Sequence, residues 1–207
     1  MKHFLLFLAV VTLFNSCKRS ATGDKLQVDV KAGGELVANF TLTVDASQAV
    51  AEAEGQRELF NIREMSWLEP STGQWVSLDR CKAAADQSKA QALVSAVSAP
   101  ATMKAFLLWS LNPSFEVQEA NGVLKLTSGQ MDYVIEGVAS QKNAERYFDY
   151  AVLNAYKKAM TDQGMPPFAE LQALAEMRKL GCIPRKIAVT FPGMPEAPGI
   201  VMEISEK

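Results

Sequence analysis

FEVQEANGVLKL (Phe115–Leu126) is the stretch of this sequence that most clearly predicts its fold. Apolar and polar residues alternate on both sides of Asn121-Gly122. Asn-Gly is the preferred dipeptide of type I′ turns because both turn positions need a positive φ, and a period of two is typical of strands with one buried face. The stretch therefore predicts an antiparallel hairpin, and the alternation from Met131 to Ile135 adds a third strand.

The same alternation recurs in other parts of the chain. Residues 26–54 alternate around an Ala-Gly-Gly turn at 32–34, which predicts a second hairpin. Pro70–Gly73 is a turn-forming segment between two more predicted strands. The two strands are predicted over residues 57–69 and 74–78. Two further strands are predicted late in the chain, over residues 187–191 and 200–204.

Helical segments interrupt the strands. Asp79 has the character of an N-cap, and the Ala-rich stretch that follows it to about Val97 predicts a helix. Two later helices are predicted over residues 144–160 and 167–180. The run Met103–Leu111 is so apolar that its periodicity does not decide between a helix and a strand.

This order of elements predicts an α+β fold. We expect an antiparallel β meander, forming a curved sheet or half-barrel, with the inserted helices packed on one of its faces. No internal repeat or linker divides the chain, so residues 26–207 are predicted to be a single globular domain.

The composition is that of a globular protein without a nucleic-acid partner. The chain has 207 residues, of which 48% are hydrophobic and 21% charged, and its formal net charge is −2. Nucleic-acid binding depends on clustered Lys and Arg, which release counterions from the phosphates, and the sequence has no such cluster.

Missing residue types exclude much of catalytic chemistry. The chain has one histidine, His3. The segment after it therefore lacks the imidazole that Ser-His-Asp and Cys-His sites use as a base, and it lacks histidine ligands for zinc or iron. P-loop, G-x-G-x-x-G and G-x-S-x-G motifs are absent too. Chemistry with carboxylates alone stays open, but no acidic pair stands out, so we predict no catalytic residue, metal or cofactor.

Cys81 and Cys182 allow two interpretations. In an exported protein they could form a disulfide that closes a long loop. Alternatively, both are free thiols that pack as small hydrophobic side chains.

The first residues have the pattern of an export signal. The apolar run Phe4–Phe14 follows the basic pair Lys2-His3 and is too short to span a membrane as a helix. Asn15-Ser16-Cys17 comes directly after the run. A small residue just before a cysteine at this point resembles the lipobox of bacterial lipoproteins.

This resemblance implies a lipid anchor. Residues 1–16 would be the signal peptide, Cys17 would carry the lipid, and residues 17–25 would hold the lipidated cysteine and a short tether. The implied location is the bacterial cell envelope, facing the periplasm, with the outer membrane favoured over the inner one. The alternatives are an ordinary signal cleaved near Ser20-Ala21, or an uncleaved anchor.

The expected sheet with helices laid on it resembles the LolA-like and LppX-like half-barrels that carry lipoproteins or lipids. The resemblance lies in the order of the elements and in the export signal. It implies an apolar cavity between sheet and helices, although the same side chains could form an ordinary core. The side chains that would line such a cavity are Phe106, Leu107, Leu108, Trp109, Tyr147, Phe148 and Val152.

Two functions are favoured for the domain over an enzyme that uses carboxylates alone. One is a non-catalytic envelope lipoprotein that binds another envelope protein. The other is a carrier or binder of a lipid or other hydrophobic ligand. An exposed apolar patch or sheet edge would favour the first function, and a continuous apolar cavity would favour the second.

Overall fold

The computed structural model describes residues 23–161 and 166–207. These residues form eleven strands and four helices. The strands are β1 (Asp24–Ala32), β2 (Glu35–Val44), β3 (Gln48–Ala53), β4 (Gln56–Asn61), β5 (Ser66–Glu69), β6 (Gln74–Ser77), β7 (Glu116–Ala120), β8 (Val123–Thr127), β9 (Asp132–Ser140), β10 (Ile183–Thr190) and β11 (Ile200–Glu206). The helices are α1 (Leu78–Ser98), α2 (Ala101–Ser110), α3 (Ala144–Thr161) and α4 (Phe168–Arg178).

All the described strands join one antiparallel sheet in the order β6-β5-β4-β3-β2-β1-β11-β10-β9-β8-β7. The sheet is two consecutive meanders, and β1 pairs with β11 to join them, with Val28 opposite Ile204. Strands β6 and β7 are its two edges, so the sheet does not close into a barrel. The predicted α+β meander with inserted helices is confirmed.

The Asn121-Gly122 turn has the expected geometry. Asn121 and Gly122 both have positive φ, of 55° and 74°, between β7 and β8. Residues 57–69 differ from the prediction, because they form two strands, β4 and β5, rather than one. The turn at residues 62–65 separates them, and Met65 adopts a positive φ of 46° that a methionine does not signal in the sequence.

The N-cap of helix α1 lies two residues before the predicted one. Ser77 is the N-cap, and its hydroxyl accepts a hydrogen bond of 3.5 Å from the Arg80 backbone N–H. Asp79 lies in the first turn instead, where its negative charge favours the positive end of the helix dipole. Pro100 separates α1 from α2, and the undecided run Met103–Leu111 is largely helical, within α2.

One face of the sheet is apolar and covered. Leu26, Val28 and Val30 of β1 are buried, whereas the residues between them are polar and partly exposed. Ion pairs cross the strands on that polar side, with 2.7 Å between Lys31 Nζ and Glu203 Oε2. The helices therefore pack on the apolar face, as expected.

The core between sheet and helices is filled by large side chains. The largest that are almost fully buried are Phe60, Phe106, Phe148, Leu26, Leu42, Ile62, Leu126, Ile135, Leu153, Ile183, Ile204 and Val28. A second, smaller cluster lies between α1 and α2, where Ala92 and Ala96 pack on Leu107. The second half of α1 therefore packs with α2 in a small core that is separate from the main one.

Candidate interaction surface

The residues that form the export signal in the sequence lie outside the described part of the chain. Cys17, the proposed signal peptide 1–16 and most of the proposed tether 17–25 therefore have no structural counterpart here. The described chain begins at Gly23, directly before β1.

The seven side chains proposed to line a cavity are packed in different places. Tyr147 and Phe148 are buried in the main core, and Val152 packs against it. Leu107 belongs to the smaller cluster. The others are on α2, where Phe106 is buried, Trp109 is half-buried and Leu108 is exposed.

Aromatic contacts attach α2 to the sheet. Trp109 lies between Phe106 and Phe115, with ring centroids 5.9 Å and 5.6 Å away. Phe115 in turn contacts Tyr133 of β9 edge-on at 5.6 Å. These contacts are those of a packed core, which is the alternative that the sequence left open for these residues.

A groove of about 440 Å³ runs between α1 and α3, away from the proposed lining. Ser88 donates a hydrogen bond of 3.3 Å to the Ala159 carbonyl oxygen where the two helices meet. The groove is lined by both polar and small apolar side chains, namely Arg80, Ala83, Ala84, Gln87, Ser88, Gln91, Ala159 and Met160. It is therefore not a continuous apolar cavity of the kind that would hold an acyl chain.

Cys81 and Cys182 are both free and buried. The disulfide interpretation is corrected in favour of two free thiols. Cys81 lies on the buried side of α1, the helix that follows edge strand β6, whereas Cys182 immediately precedes β10. Six strands lie between β6 and β10 in the sheet, whereas a disulfide needs Cα atoms within about 7 Å of each other.

We expect both thiols to be unreactive until the protein unfolds. Burial raises the pKa of both cysteines, and the thiolate is the reactive form. A thiol reagent such as DTNB at pH 8 should modify the folded chain, lacking Cys17, at least about a hundredfold more slowly than the unfolded chain. Unfolding without reductant should release two reactive thiols. Release of none would instead indicate a disulfide.

Lys157 is a nearly buried cation that sequence analysis missed. Its Nζ lies 2.5 Å from Glu58 Oε1, and its side chain is 11% exposed. The same nitrogen lies 4.9 Å from the ring centroid of Trp67 and 5.4 Å from that of Phe60. The amine therefore joins α3 to β4 and β5 through an ion pair and two aromatic faces. Sequence alone could not reveal this because Glu58 and Lys157 are far apart in the chain.

Three tyrosines are buried, with Tyr133 on β9 and Tyr147 and Tyr150 on α3. Burial raises the pKa of Tyr133, Tyr147 and Tyr150 far above its ordinary value, and the negative charge of Glu170 raises it further. These hydroxyls therefore stay neutral in the physiological pH range and cannot serve as bases there.

Within residues 23–161 and 166–207, no group of three His, Cys, Asp or Glu side chains is arranged to hold a metal ion. In the same residues, no helix combines the length and apolar character needed to cross a membrane.

The most apolar exposed surface belongs to the α1–α2 hairpin, defined here as residues 87–111. Leu93, Val94 and Val97 of α1 are 47%, 74% and 81% exposed, and Leu108 of α2 is 45% exposed. Ala92 and Ala96 face inward on the same helix, so this half of α1 is apolar on two sides. One apolar side has a packing partner in α2, and the other faces solvent.

The same segment contains no negative charge. Residues 87–115 include no Asp or Glu and two lysines, Lys89 and Lys104, in a chain whose formal net charge is −2. Both lysines are exposed, and Lys89 lies over the ring of Phe168 at 5.8 Å. The lack of acidic residues can be found in the sequence, whereas the exposed side of the hairpin can be found only in the structure.

The α1–α2 hairpin is thus the described surface best suited to binding. It combines exposed apolar side chains with isolated positive charges and its own packing core. Comparisons of the chain with models of protein families, with curated proteins and with solved structures found no match.

Proposed function

We propose that the chain is a lipid-anchored lipoprotein of the bacterial cell envelope, with a non-catalytic binding domain. The observation that carries the anchor is the apolar run Phe4–Phe14 followed directly by Asn15-Ser16-Cys17. In this proposal Cys17 is the lipidated first residue of the mature protein, and the domain faces the periplasm, with the outer membrane favoured. Several acyl chains on one cysteine give a stable attachment.

Two features of the domain support binding rather than catalysis. The exposed apolar surface of the α1–α2 hairpin costs solvation free energy unless it meets a partner, and surfaces of this kind commonly mark interaction sites. Among the described residues, the nearly buried cation Lys157 is held by Glu58, and the buried tyrosines are neutral. These groups have structural roles in the core.

Cys17→Ser should abolish lipid attachment. We expect the wild-type chain, expressed in a bacterium fed labelled palmitate, to take up the label and to remain in the membrane fraction. The serine variant should lose the label because it has no thiol to acylate. Cys182→Ser is the matched control and should keep the label. An unlabelled wild-type chain, or a labelled Cys17→Ser variant, would refute the anchor.

A second candidate is a carrier of a lipid or other hydrophobic ligand. Its support is the open sheet of antiparallel strands with helices across its apolar face, the arrangement expected of LolA-like half-barrels. A carrier would have to separate helices from the sheet, and the hairpin has a packing cluster that is separate from the main core. Native mass spectrometry of residues 18–207 tests this candidate. A bound lipid mass would support it, and a ligand-free mass would contradict it.

A further inference from the structure

We propose that the α1–α2 hairpin is a second membrane contact, which lies on the surface of an anionic phospholipid bilayer. The biological setting of this contact rests on the proposed envelope location. The contact itself needs no lipid on Cys17, so the two proposals can fail separately.

The apolar part of the contact is the exposed side of α1. Val94 and Val97 are the most exposed large apolar side chains reported for the described residues, and Leu93 is beside them at helical spacing. A helix that lies in a bilayer interface buries such an apolar stripe at the boundary between headgroups and acyl chains. Because Val94 and Val97 are 74% and 81% exposed, moving them out of water disrupts little internal packing.

The charge of the segment selects the bilayer as the partner. Lys89 and Lys104 are its two charged residues, and the absence of carboxylates between residues 87 and 115 reduces repulsion from anionic headgroups. Each lysine near such a surface strengthens binding about fivefold at physiological salt. An uncharged apolar protein surface would match the apolar patch equally well, but it would gain nothing from the two lysines.

The packing of the hairpin allows this contact without unfolding. Leu107 of α2 packs on Ala92 and Ala96 of α1, in a cluster that is separate from the main core. Inward-facing residues stay covered while Val94 and Val97 point away from them.

The proposed tether keeps the domain near a membrane. Five residues, 18–22, separate Cys17 from the described chain. Even fully extended, they reach only about 20 Å. A domain held so close has a high local concentration at the bilayer, so a weak second contact suffices to orient it.

The test uses residues 18–207, which contain the whole described core but no acylation site. We expect this chain to co-float with vesicles of phosphatidylcholine and phosphatidylglycerol in a 3:1 ratio, and to bind pure phosphatidylcholine several-fold more weakly. Val94→Gln/Val97→Gln should lower the partition coefficient at least about tenfold. Lys104→Gln should lower it about fivefold, and high salt should remove that difference.

Val117→Gln/Val138→Gln is the matched control. These valines are 48% and 44% exposed and lie on β7 and β9, so the same chemical change is made away from the hairpin. The control should bind vesicles like wild type, and thermal melts should show that every variant is folded. Absence of vesicle binding, or equal binding by Val94→Gln/Val97→Gln, would overturn the proposal. So would a dimer or protein complex that depends on Val94 and Val97 without vesicle binding.

Discussion

Phe148→Ala should lower the free energy of unfolding by about 3–5 kcal/mol, the cost of removing a large aromatic side chain from a packed core. Phe148 is 1% exposed and contacts the ring of Tyr147 edge-on, with centroids 5.3 Å apart. The Arg178 guanidinium also lies over its ring, 5.9 Å from the centroid. The truncation leaves a cavity that the sheet and α3 cannot fill by small movements.

Urea denaturation followed by circular dichroism measures this loss. Leu108→Ala is the control, because Leu108 belongs to the same set of proposed lining residues but is exposed. Its cost should be within about 0.5 kcal/mol. A loss below about 1 kcal/mol for Phe148→Ala would contradict the packed core and would favour a site that normally holds a ligand.

Lys157→Ala should cost about 2–3 kcal/mol, the second largest effect that we expect. The substitution removes the ion pair with Glu58 and the cation above the Trp67 and Phe60 rings. It also removes the aliphatic stem that packs between α3 and the sheet. Glu58 is 36% exposed and can be partly hydrated, so the loss is smaller than for a fully buried pair.

A double-mutant cycle separates these contributions. Lys157→Met keeps most of the stem, and combining it with Glu58→Gln should give a coupling energy of about 1 kcal/mol. Lys158→Ala is the neighbouring control, because Lys158 forms a more exposed ion pair with Glu170 at 3.3 Å. It should cost less than about 1 kcal/mol. A coupling energy near zero for Lys157 and Glu58 would mean that packing alone explains the loss.

Local patterns predicted much of this fold. The positive φ values of Asn121 and Gly122 follow from residue types that tolerate them, and the alternation on both sides follows from burial of one strand face. The break at residues 62–65 was missed because Met65 adopts its positive φ under tertiary constraint, not from its own preference. The prediction of a single strand over residues 57–69 is wrong because of this turn.

The candidate surface was only partly predictable. Phe106, Leu107, Leu108 and Trp109 are equally apolar in the sequence, yet the structure buries two of them, half-buries Trp109 and exposes Leu108. On α1, Val94 and Ala96 differ little in polarity, but one faces solvent and the other faces α2. Exposure depends on which helix face meets a neighbour, and neighbours are set by contacts between distant parts of the chain.

The sequence by itself determined the class of fold, most turns, the single histidine and the acid-free segment, because these depend on residue type and local spacing. The tertiary structure decided that β1 pairs with β11, that Lys157 meets Glu58, and that Cys81 and Cys182 are kept apart. Each of these depends on residues about 100 or more positions apart in the chain. Such contacts form only when the whole apolar face of the sheet is covered at once, and no local pattern encodes that packing.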